Sequence, residues 1–369
     1  MCRYSIRFAC VLIVVVMMGL VTSGISAQHD WSGTDLRERA RQAFNEGRYA
    51  DADRDLRVAL ADFEEAGSRL DIAETLGDMT SVLIALERYS QAEPLLDRAL
   101  TIMPEKTGAH APLTARLLGN LGAVYAQTGR DSDAASAFQR AIGLLEQYAN
   151  DDPHIVILLS NLGVVHVKNG KYKQARAEYE RALNIGQLRL QSDHRDLLPV
   201  LTNLAGLYER QKNWSRAESY LLRAARIADH ALPPAHSERG VLLEHLGIVH
   251  LRQERLAEAE IEIRRALEIT NQAVGIESAR SVRVSLHLAK VLTAQRRYGE
   301  ASAVYARALP IQERLFGSKT PEVATTLENF AKLLRDMSRI ETAREMESRA
   351  KRIRGELAYT RSVTELQRW

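Results

Sequence analysis

Cysteine, aromatic residues and proline are scarce in this sequence of 369 residues. The two cysteines, Cys2 and Cys10, both lie near the N-terminus, so the rest of the chain has neither a disulfide framework nor a thiol nucleophile. Aromatic residues make up 6% of the sequence, and there are 9 prolines. Together with abundant alanine, leucine, glutamate and arginine, this composition favours helices over strands.

An excess of one charge is also absent. The chain has 50 lysines and arginines against 47 aspartates and glutamates, a formal net charge of +3. Arg3 and Arg7 supply two of these charges, so the remainder is close to neutral. Because nucleic-acid-binding proteins concentrate basic residues on one face or stripe, we predict no nucleic-acid partner.

The N-terminal apolar run is too short to cross a membrane unaided. It extends from Phe8 to Val21, which is 14 residues, whereas about 20 span a bilayer. The basic stretch MCRYSIR precedes it and the small, polar stretch TSGISAQ follows it, which is the order of a secretory signal peptide. We therefore predict a signal peptide at residues 1–27 and an exported protein, periplasmic or secreted. The alternative is an uncleaved segment in which residues 8–21 anchor the chain to the membrane.

What the sequence does contain is a repeat of about 42 residues. One position, usually bulky, recurs at spacings of 40 to 42 residues, and we call its occupants the tip residues. They are Tyr49, Tyr89, Asp131, Tyr172, Trp214, Leu256, Tyr298 and Ile340. Such regularity along most of the chain indicates a repeat array rather than one compact core.

Small residues keep fixed distances from each tip residue. The position nine residues before it, here called the small column, holds Ala40, Thr80, Gly122, Gly163, Ala205, Gly247, Ala289 and Ala331. Alanine stands three and ten residues after every tip residue, and a large apolar residue such as Phe138 or Tyr179 usually stands seven after it. Small residues let two helix axes approach to about 8 Å, and the large residue then fills the groove between them.

Apolar residues within one unit recur at three- and four-residue steps, which predicts two amphipathic helices. In the fourth unit the stretch KNGKY places Gly170 between them, where a helix C-cap needs a positive φ. One such hairpin cannot bury its apolar face alone, so the units must stack. We predict an all-α fold, an α-solenoid of about eight helix-turn-helix units over residues 32–354, followed by a capping helix and tail at residues 355–369.

The pattern resembles the tetratricopeptide repeat (TPR). The residues that carry the resemblance are Leu162, Gly163, Ala175, Tyr179, Ala182 and the aromatic slot filled by Tyr125 and Tyr208. The units exceed the usual length of about 34 residues. With NLAGLY and connectors such as GAHAPLTA and GSKTPEVA, they look like the repeats of kinesin light chains and their bacterial relatives. The resemblance implies a right-handed superhelix whose first helices line a concave groove, with asparagines that hold the backbone of a bound peptide.

Motifs for catalysis or metal binding do not accompany the repeat. The sequence has no GxSxG, HExxH or Walker loop. His166 and His250 occupy the aromatic slot and are predicted to pack there, whereas His245 and His287 share one column and could approach each other. We predict no enzymatic activity, no metal and no cofactor.

One polar column is predicted to point into the groove. It stands two residues before the small column and contains Glu38, Asp78, Asn120, Asn161, Asn203, His245, His287 and Asn329. Asparagine is a poor residue in the middle of a helix, so its recurrence calls for a reason. Its amide can hold the N–H and C=O groups of an extended peptide, or it can bond the neighbouring first helix and brace the stack. Both interpretations remain open at this point.

Basic residues flank this polar column. Lys168, Arg210 and Arg252 stand five residues after the small column, and Lys290 and Lys332 stand one after it. These five residues, together with Asn120, Asn161, Asn203, His245, His287 and Asn329, form the predicted peptide-binding groove. Its middle and C-terminal part is therefore basic, whereas Glu38 and Asp78 make the N-terminal end more acidic.

The sequence therefore predicts a non-enzymatic, exported interaction scaffold that binds an extended, acidic peptide segment in its concave groove. The alternative is a structural subunit of a cell-envelope assembly that uses its convex face or its ends. A membrane association is expected only if the N-terminal segment stays uncleaved.

The N-terminal pattern generates the first testable prediction. We expect cleavage after Ala27, because a basic, an apolar and a small-residue region follow one another there. The intact mass of the exported protein measures it. A mass that retains residues 1–27 would show instead that the segment is a membrane anchor.

Overall fold

The computed structural model describes residues 31–103, 108–189 and 193–366, with side chains up to Tyr359 in the last helix. These residues form sixteen α-helices: α1 (Gly33–Asn45), α2 (Tyr49–Glu65), α3 (Arg69–Ala85), α4 (Tyr89–Ile102), α5 (Ala111–Gln127), α6 (Asp131–Tyr148), α7 (His154–Lys168), α8 (Tyr172–Arg189), α9 (Leu198–Arg210), α10 (Trp214–Ala231), α11 (Ser237–Arg252), α12 (Leu256–Val274), α13 (Ala279–Ala294), α14 (Tyr298–Phe316), α15 (Pro321–Asp336) and α16 (Ile340–Leu366). The predicted signal peptide, residues 1–27, lies outside the described residues. Within the part that is described, no helix combines the length and the apolar character that a membrane crossing requires.

The helices form eight consecutive pairs in the described part of the chain, which confirms the predicted all-α repeat class. Each tip residue is the first residue of the second helix of its pair, as Tyr49, Tyr172 and Ile340 show for α2, α8 and α16. The odd-numbered helices are therefore the first helices and the even-numbered helices the second helices. The first pair begins where Ser32 caps α1, its side chain accepting a hydrogen bond from the Asp35 N–H.

The chain divides into two compact units, with the boundary between Leu207 and Tyr208 inside α9. In unit 1, helices α1 to α8 form four hairpins, and each second helix packs on the next first helix. In unit 2, α11 to α16 form three hairpins that pack in the same way, and α10 packs on α11. First helices also contact one another directly, from α1 to α3, α5 and α7 in unit 1 and from α11 to α13 in unit 2.

The small columns lie where helices pack most closely. All sixteen alanines at three and ten residues after the tips are buried, with at most 3% of their surface exposed. A Cβ atom placed on Gly163 would lie 2.4 Å from the ring of Tyr179, and one on Gly247 would lie 2.5 Å from Ile263. The large residue seven positions after the tip therefore occupies the space that the missing side chain leaves, as predicted.

The turn inside each hairpin has one recurrent backbone feature. The residue two before the tip has a positive φ, between 58° and 83°, in all eight described hairpin turns. The prediction for Gly170 is confirmed, since its φ is 71°. Glycine is not general, however, because five turns place a non-glycine residue there: Glu87, Lys212, Glu254, Arg296 and Ser338. The close packing of the two helices fixes this left-handed conformation even where the side chain makes it unfavourable.

Polar residues interrupt the apolar columns in the first and last hairpins. Arg39 stands where later first helices carry leucine, methionine or phenylalanine, and it forms a double hydrogen bond with Asp55 (2.6 and 2.7 Å). Glu347 stands seven residues after the last tip, a position held by Tyr179 and Tyr305 in other hairpins, and accepts from Arg335 (2.6 Å). The terminal hairpins thus carry a charged pair where inner hairpins bury apolar side chains.

The segment predicted as a capping helix and tail, residues 355–369, continues α16 without a break as far as Leu366. Leu357, in this extension, still packs on a cluster that includes Val323, Leu327 and Ile353. The described part of the segment therefore covers the last hairpin as a prolonged second helix rather than as a helix of its own.

Gly163 and Gly206 give a matched test of this packing. We expect Gly163→Ala to destabilise the protein by about 1–3 kcal/mol, because its Cβ would collide with the Tyr179 ring. Gly206→Ala, in α9, should instead stabilise it by roughly 1 kcal/mol, because no neighbouring atom lies within 4 Å of the added Cβ. Chemical denaturation measures both changes. Equal effects of the two variants would contradict the packing described here.

Candidate functional site

The polar column predicted to line the groove lies on the first helices. We call the surface that these helices present in each unit the first-helix face. In unit 1, Asn120 Nδ2 donates to Thr80 Oγ1 and to Ser81 Oγ, both at 3.3 Å. Asn203 Nδ2 donates to Ser160 Oγ at 3.1 Å. Each amide thus bonds the preceding first helix, which favours the bracing interpretation at these two positions.

Asn161 behaves differently from its neighbours in the column. Its side chain is buried, with 6% of the residue exposed, yet it forms no hydrogen bond with any of the residues that the structure describes. A buried amide normally finds partners. Asn161 is therefore the member of the column in unit 1 whose amide remains available for a ligand.

Small residues one position before the polar column let the first helices of unit 1 approach one another. A Cβ on Gly77 would lie 3.0 Å from Leu117, and one on Gly119 would lie 2.7 Å from Leu158. The role of this position was not predicted from the sequence. The sequence does contain a signal for this close approach, because Gly77, Gly119 and Ser160 occupy the same position in three successive repeats.

Arginine residues neutralise the N-terminal end of the face, which the sequence predicts to be acidic. The Asp78 carboxylate is fully buried and accepts hydrogen bonds from Arg41 Nε (3.2 Å) on α1 and from Arg116 Nη1 (2.6 Å) on α5. Arg37 pairs in the same way with Asp71 (3.1 Å) on α3. These pairs join successive first helices, so the acidic groups there are structural partners rather than a free negative surface.

Lys168, predicted as a groove cation, is also engaged within unit 1. Its Nζ donates to the Ala126 carbonyl and to Asp131 Oδ1, each at 2.7 Å. It therefore binds the end of α5 and the start of α6, the preceding hairpin. Lysine suits this position, since a cation is favourable beside the carbonyls at a helix C-terminus.

In unit 2 the column continues with histidines that face glutamates on the preceding first helix. His245 Nδ1 lies 2.8 Å from Glu209 Oε1. Burial disfavours the charged imidazole, but the neighbouring Glu209 carboxylate outweighs burial and raises the pKa of His245. Each histidine of the column thus has a glutamate partner of its own, rather than the other histidine.

Glu244 is the acidic neighbour of the second histidine, His287. It is 3% exposed and receives two hydrogen bonds from Arg283, at 2.9 and 2.8 Å. His287 Nδ1 lies 3.0 Å from Glu244 Oε1, within ion-pair distance of the carboxylate. Burial opposes ionisation of Glu244, but the two basic neighbours hold its pKa well below the ordinary range.

Three predicted cations of unit 2 have no acidic partner. Arg252 on α11, Lys290 on α13 and Lys332 on α15 form no ion pair with any described residue. Lys290 is half-buried, and burial, followed by the charge of Arg252, lowers the pKa of its ammonium group. Asn329, also half-buried, belongs to the column on α15, and Arg210 is exposed at the end of α9. Through Arg252, Lys290 and Lys332, the first-helix face of unit 2 therefore carries positive charge that no acidic group among the described residues neutralises.

The histidines of the aromatic slot pack as predicted. His250 is buried, with Nδ1 2.7 Å from Glu262 and Nε2 3.1 Å from Glu218. Burial raises the pKa of Glu218, but hydrogen bonds from Gln253, Arg255 and His250 outweigh it and bring that pKa to about 2. No group of three or more histidines and acidic residues in the described ranges is arranged to hold a metal ion.

Comparison with known proteins identifies the repeat. The family model described as Tetratricopeptide repeat matches residues 71–147, 154–230, 238–313 and 281–356. Since these matches cover more than half of the chain, the protein belongs to the tetratricopeptide repeat family. No curated protein matches the sequence.

Solved structures with the same fold share little sequence. BtubC (BKLC) from P. vanneervenii is 22% identical over 61% of this chain and 91% of that chain, with a TM-score of 0.53. RapI in its apo form is 13% identical over 89% and 98% of the two chains, with a TM-score of 0.63. A Podosopora anserina protein with nearly identical TPR-like repeats, assigned as a kinesin light chain, is 18% identical over 56% and 98%, with a TM-score of 0.48.

The family and the fold define a repeat scaffold suited to protein–protein interaction. Tetratricopeptide repeat proteins are generally non-catalytic, and the comparisons indicate no enzyme family.

The two asparagines of unit 1 make the bracing role testable. We expect Asn203→Ala to cost about 1 kcal/mol of stability, because it removes the hydrogen bond to Ser160. Asn161→Ala should leave stability within about 0.5 kcal/mol of the original, since no protein hydrogen bond is lost. Denaturation midpoints of the two variants measure the difference. If both variants lose the same stability, Asn161 is a brace as well.

Proposed function

We propose that this protein is an exported, non-enzymatic scaffold that binds an extended acidic segment of another protein on the first-helix face of unit 2. The observation that carries the proposal is the row of Arg252, Lys290 and Lys332 on successive first helices without an acidic partner among the described residues. The proposal of export rests on residues 1–27 and their signal-peptide pattern.

Lys290 is the member of the row that is half-buried. A half-buried ammonium group beside a second cation is unfavourable in the free protein, as the lowered pKa of Lys290 reflects. A neighbouring cation on the same helix, Arg283, is neutralised within the protein by Glu244, whereas Lys290 is not. A carboxylate from a ligand placed between Lys290 and Arg252 would relieve the repulsion and accept hydrogen bonds from both.

The distance between neighbouring first helices also suggests how the acidic residues of a ligand would be spaced along its chain. Packed helices lie about 8–10 Å apart. An extended chain advances about 3.3–3.6 Å per residue, so three residues cover about the same distance. A ligand segment with an acidic residue at every third position would therefore place one carboxylate near each of the cations on α11, α13 and α15.

The test uses a synthetic peptide of about ten residues with aspartate at every third position, long enough to span three first helices. We expect Lys290→Ala to weaken binding about tenfold, equivalent to roughly 1.4 kcal/mol, because a partly buried charged contact is little screened. Fluorescence anisotropy at two salt concentrations measures the affinity, and circular dichroism checks the fold.

Lys319→Ala is the matched control, because Lys319 pairs with Glu356 (2.9 Å) at the connector before α15 and does not belong to the row. A peptide with asparagine in place of aspartate should bind neither the original protein nor the Lys319→Ala variant. If Lys290→Ala and Lys319→Ala bind the acidic peptide equally well, the row is not the site. Recovery of the exported protein in a stoichiometric membrane complex would favour the structural-subunit alternative.

A further inference from the structure

The row of cations lies next to a histidine, a residue whose charge depends on pH. His287 stands on α13 one helical turn before Lys290 and one turn after Arg283. Its imidazole is half-buried, and its Nδ1 atom lies 3.0 Å from Glu244 Oε1 on α11. Arg283 donates to both oxygens of the same carboxylate, so His287 shares its acidic neighbour with a permanent cation.

Charged neighbours of His287 lie on its own helix and on the preceding first helix. From α11 come Glu244 and, further along the face, Arg252, and from α13 itself come Arg283 and Lys290. Helices α12 and α14 pack on the opposite side of α13 through an apolar cluster that contains Ile263 and Tyr305. On α15 the equivalent column residue is Asn329, which does not titrate, and Lys332 follows it.

The charge balance follows from these neighbours. Burial, together with Lys290 and Arg283, lowers the pKa of His287 below its usual value, although Glu244 opposes this shift. The imidazole is therefore neutral at pH 7 when the face is empty. An added negative charge beside Lys290 would offset the nearby positive charges and favour the protonated imidazole.

We propose that binding of an acidic segment to the first-helix face of unit 2 is coupled to uptake of a proton by His287, so that the face binds more tightly as the pH falls. This inference rests on the proposed function and concerns the regulation of the same site. No covalent step is involved: the proton comes from solvent and resides on the imidazole while the carboxylate occupies the space beside Lys290 and Arg252.

The direction of the effect follows from linkage. A group whose pKa rises on binding takes up a proton, and affinity then increases as the pH falls through the interval between its free and bound pKa values. The carboxylates of the ligand remain ionised above about pH 5, since aspartate titrates near 3.9. The pKa of His245 is already raised in the free protein, because its partner Glu209 stabilises the charged imidazole.

The experiment measures the affinity of the aspartate peptide for the full chain by isothermal titration calorimetry. We expect binding to be about tenfold tighter at about pH 5.5 than at about pH 7.5, the range in which an imidazole changes its charge. Near neutral pH, titrations in two buffers of different ionisation enthalpy should show net proton uptake. Affinity that does not change with pH would overturn the inference while leaving the proposed function intact.

Variants separate His287 from other titrating groups. His287→Gln should bind with the weaker, neutral-pH affinity at both pH values and take up no proton. His245→Gln is the matched control and should keep the dependence on pH, because its charge is paired with Glu209. If His287→Gln retains the full pH dependence, the proton binds elsewhere and the inference is wrong. If the peptide binds at neither pH, the proposed function fails and the inference falls with it.

Discussion

The close approach of paired helices is the constraint on which the rest of the structure depends. Gly163 leaves room for the Tyr179 ring, and Gly247 leaves room for Ile263, so the two helices of a hairpin meet with no space for a larger residue. The alanines of the second helices are buried, and within each unit second helices also pack on the first helices that follow them. Within each unit, successive hairpins are thereby held in a fixed register, which places residues about 42 positions apart in sequence on one face of that unit.

Many polar side chains of the first-helix face hold neighbouring first helices together. Polar side chains of the first-helix face bond the preceding first helix, through amides such as Asn120 and Asn203 and through ion pairs such as Arg116 with Asp78. A buried polar group is costly unless it is paired, so repeated pairing keeps a polar face compatible with close packing. The few groups left over are therefore informative. On this face, Asn161 in unit 1 forms no hydrogen bond, and Lys290 in unit 2 forms no ion pair, with any of the described residues.

Much of the fold could be predicted from the sequence because its determinants are local. Helical periodicity and side-chain volume act within one repeat, and repetition made both visible along most of the chain, whereas glycine marks only some of the turns, such as that at Gly170. The partners of the polar groups could not be predicted in this way. Lys168 appears free in the sequence but bonds Ala126 and Asp131, which lie some forty residues earlier. The strained turn at Lys212 could not be predicted either, since packing rather than residue preference sets its φ of 58°.

The central claim is that the first helices of unit 2 receive an acidic segment. Hydrogen exchange of the free protein and of its complex with the aspartate peptide tests it most directly, because a ligand suppresses the local openings that let helical amides exchange. The account predicts slower exchange in α11, α13 and α15, with α12 and α14 nearly unchanged. Protection confined to the second helices, or to the first helices of unit 1, would contradict it.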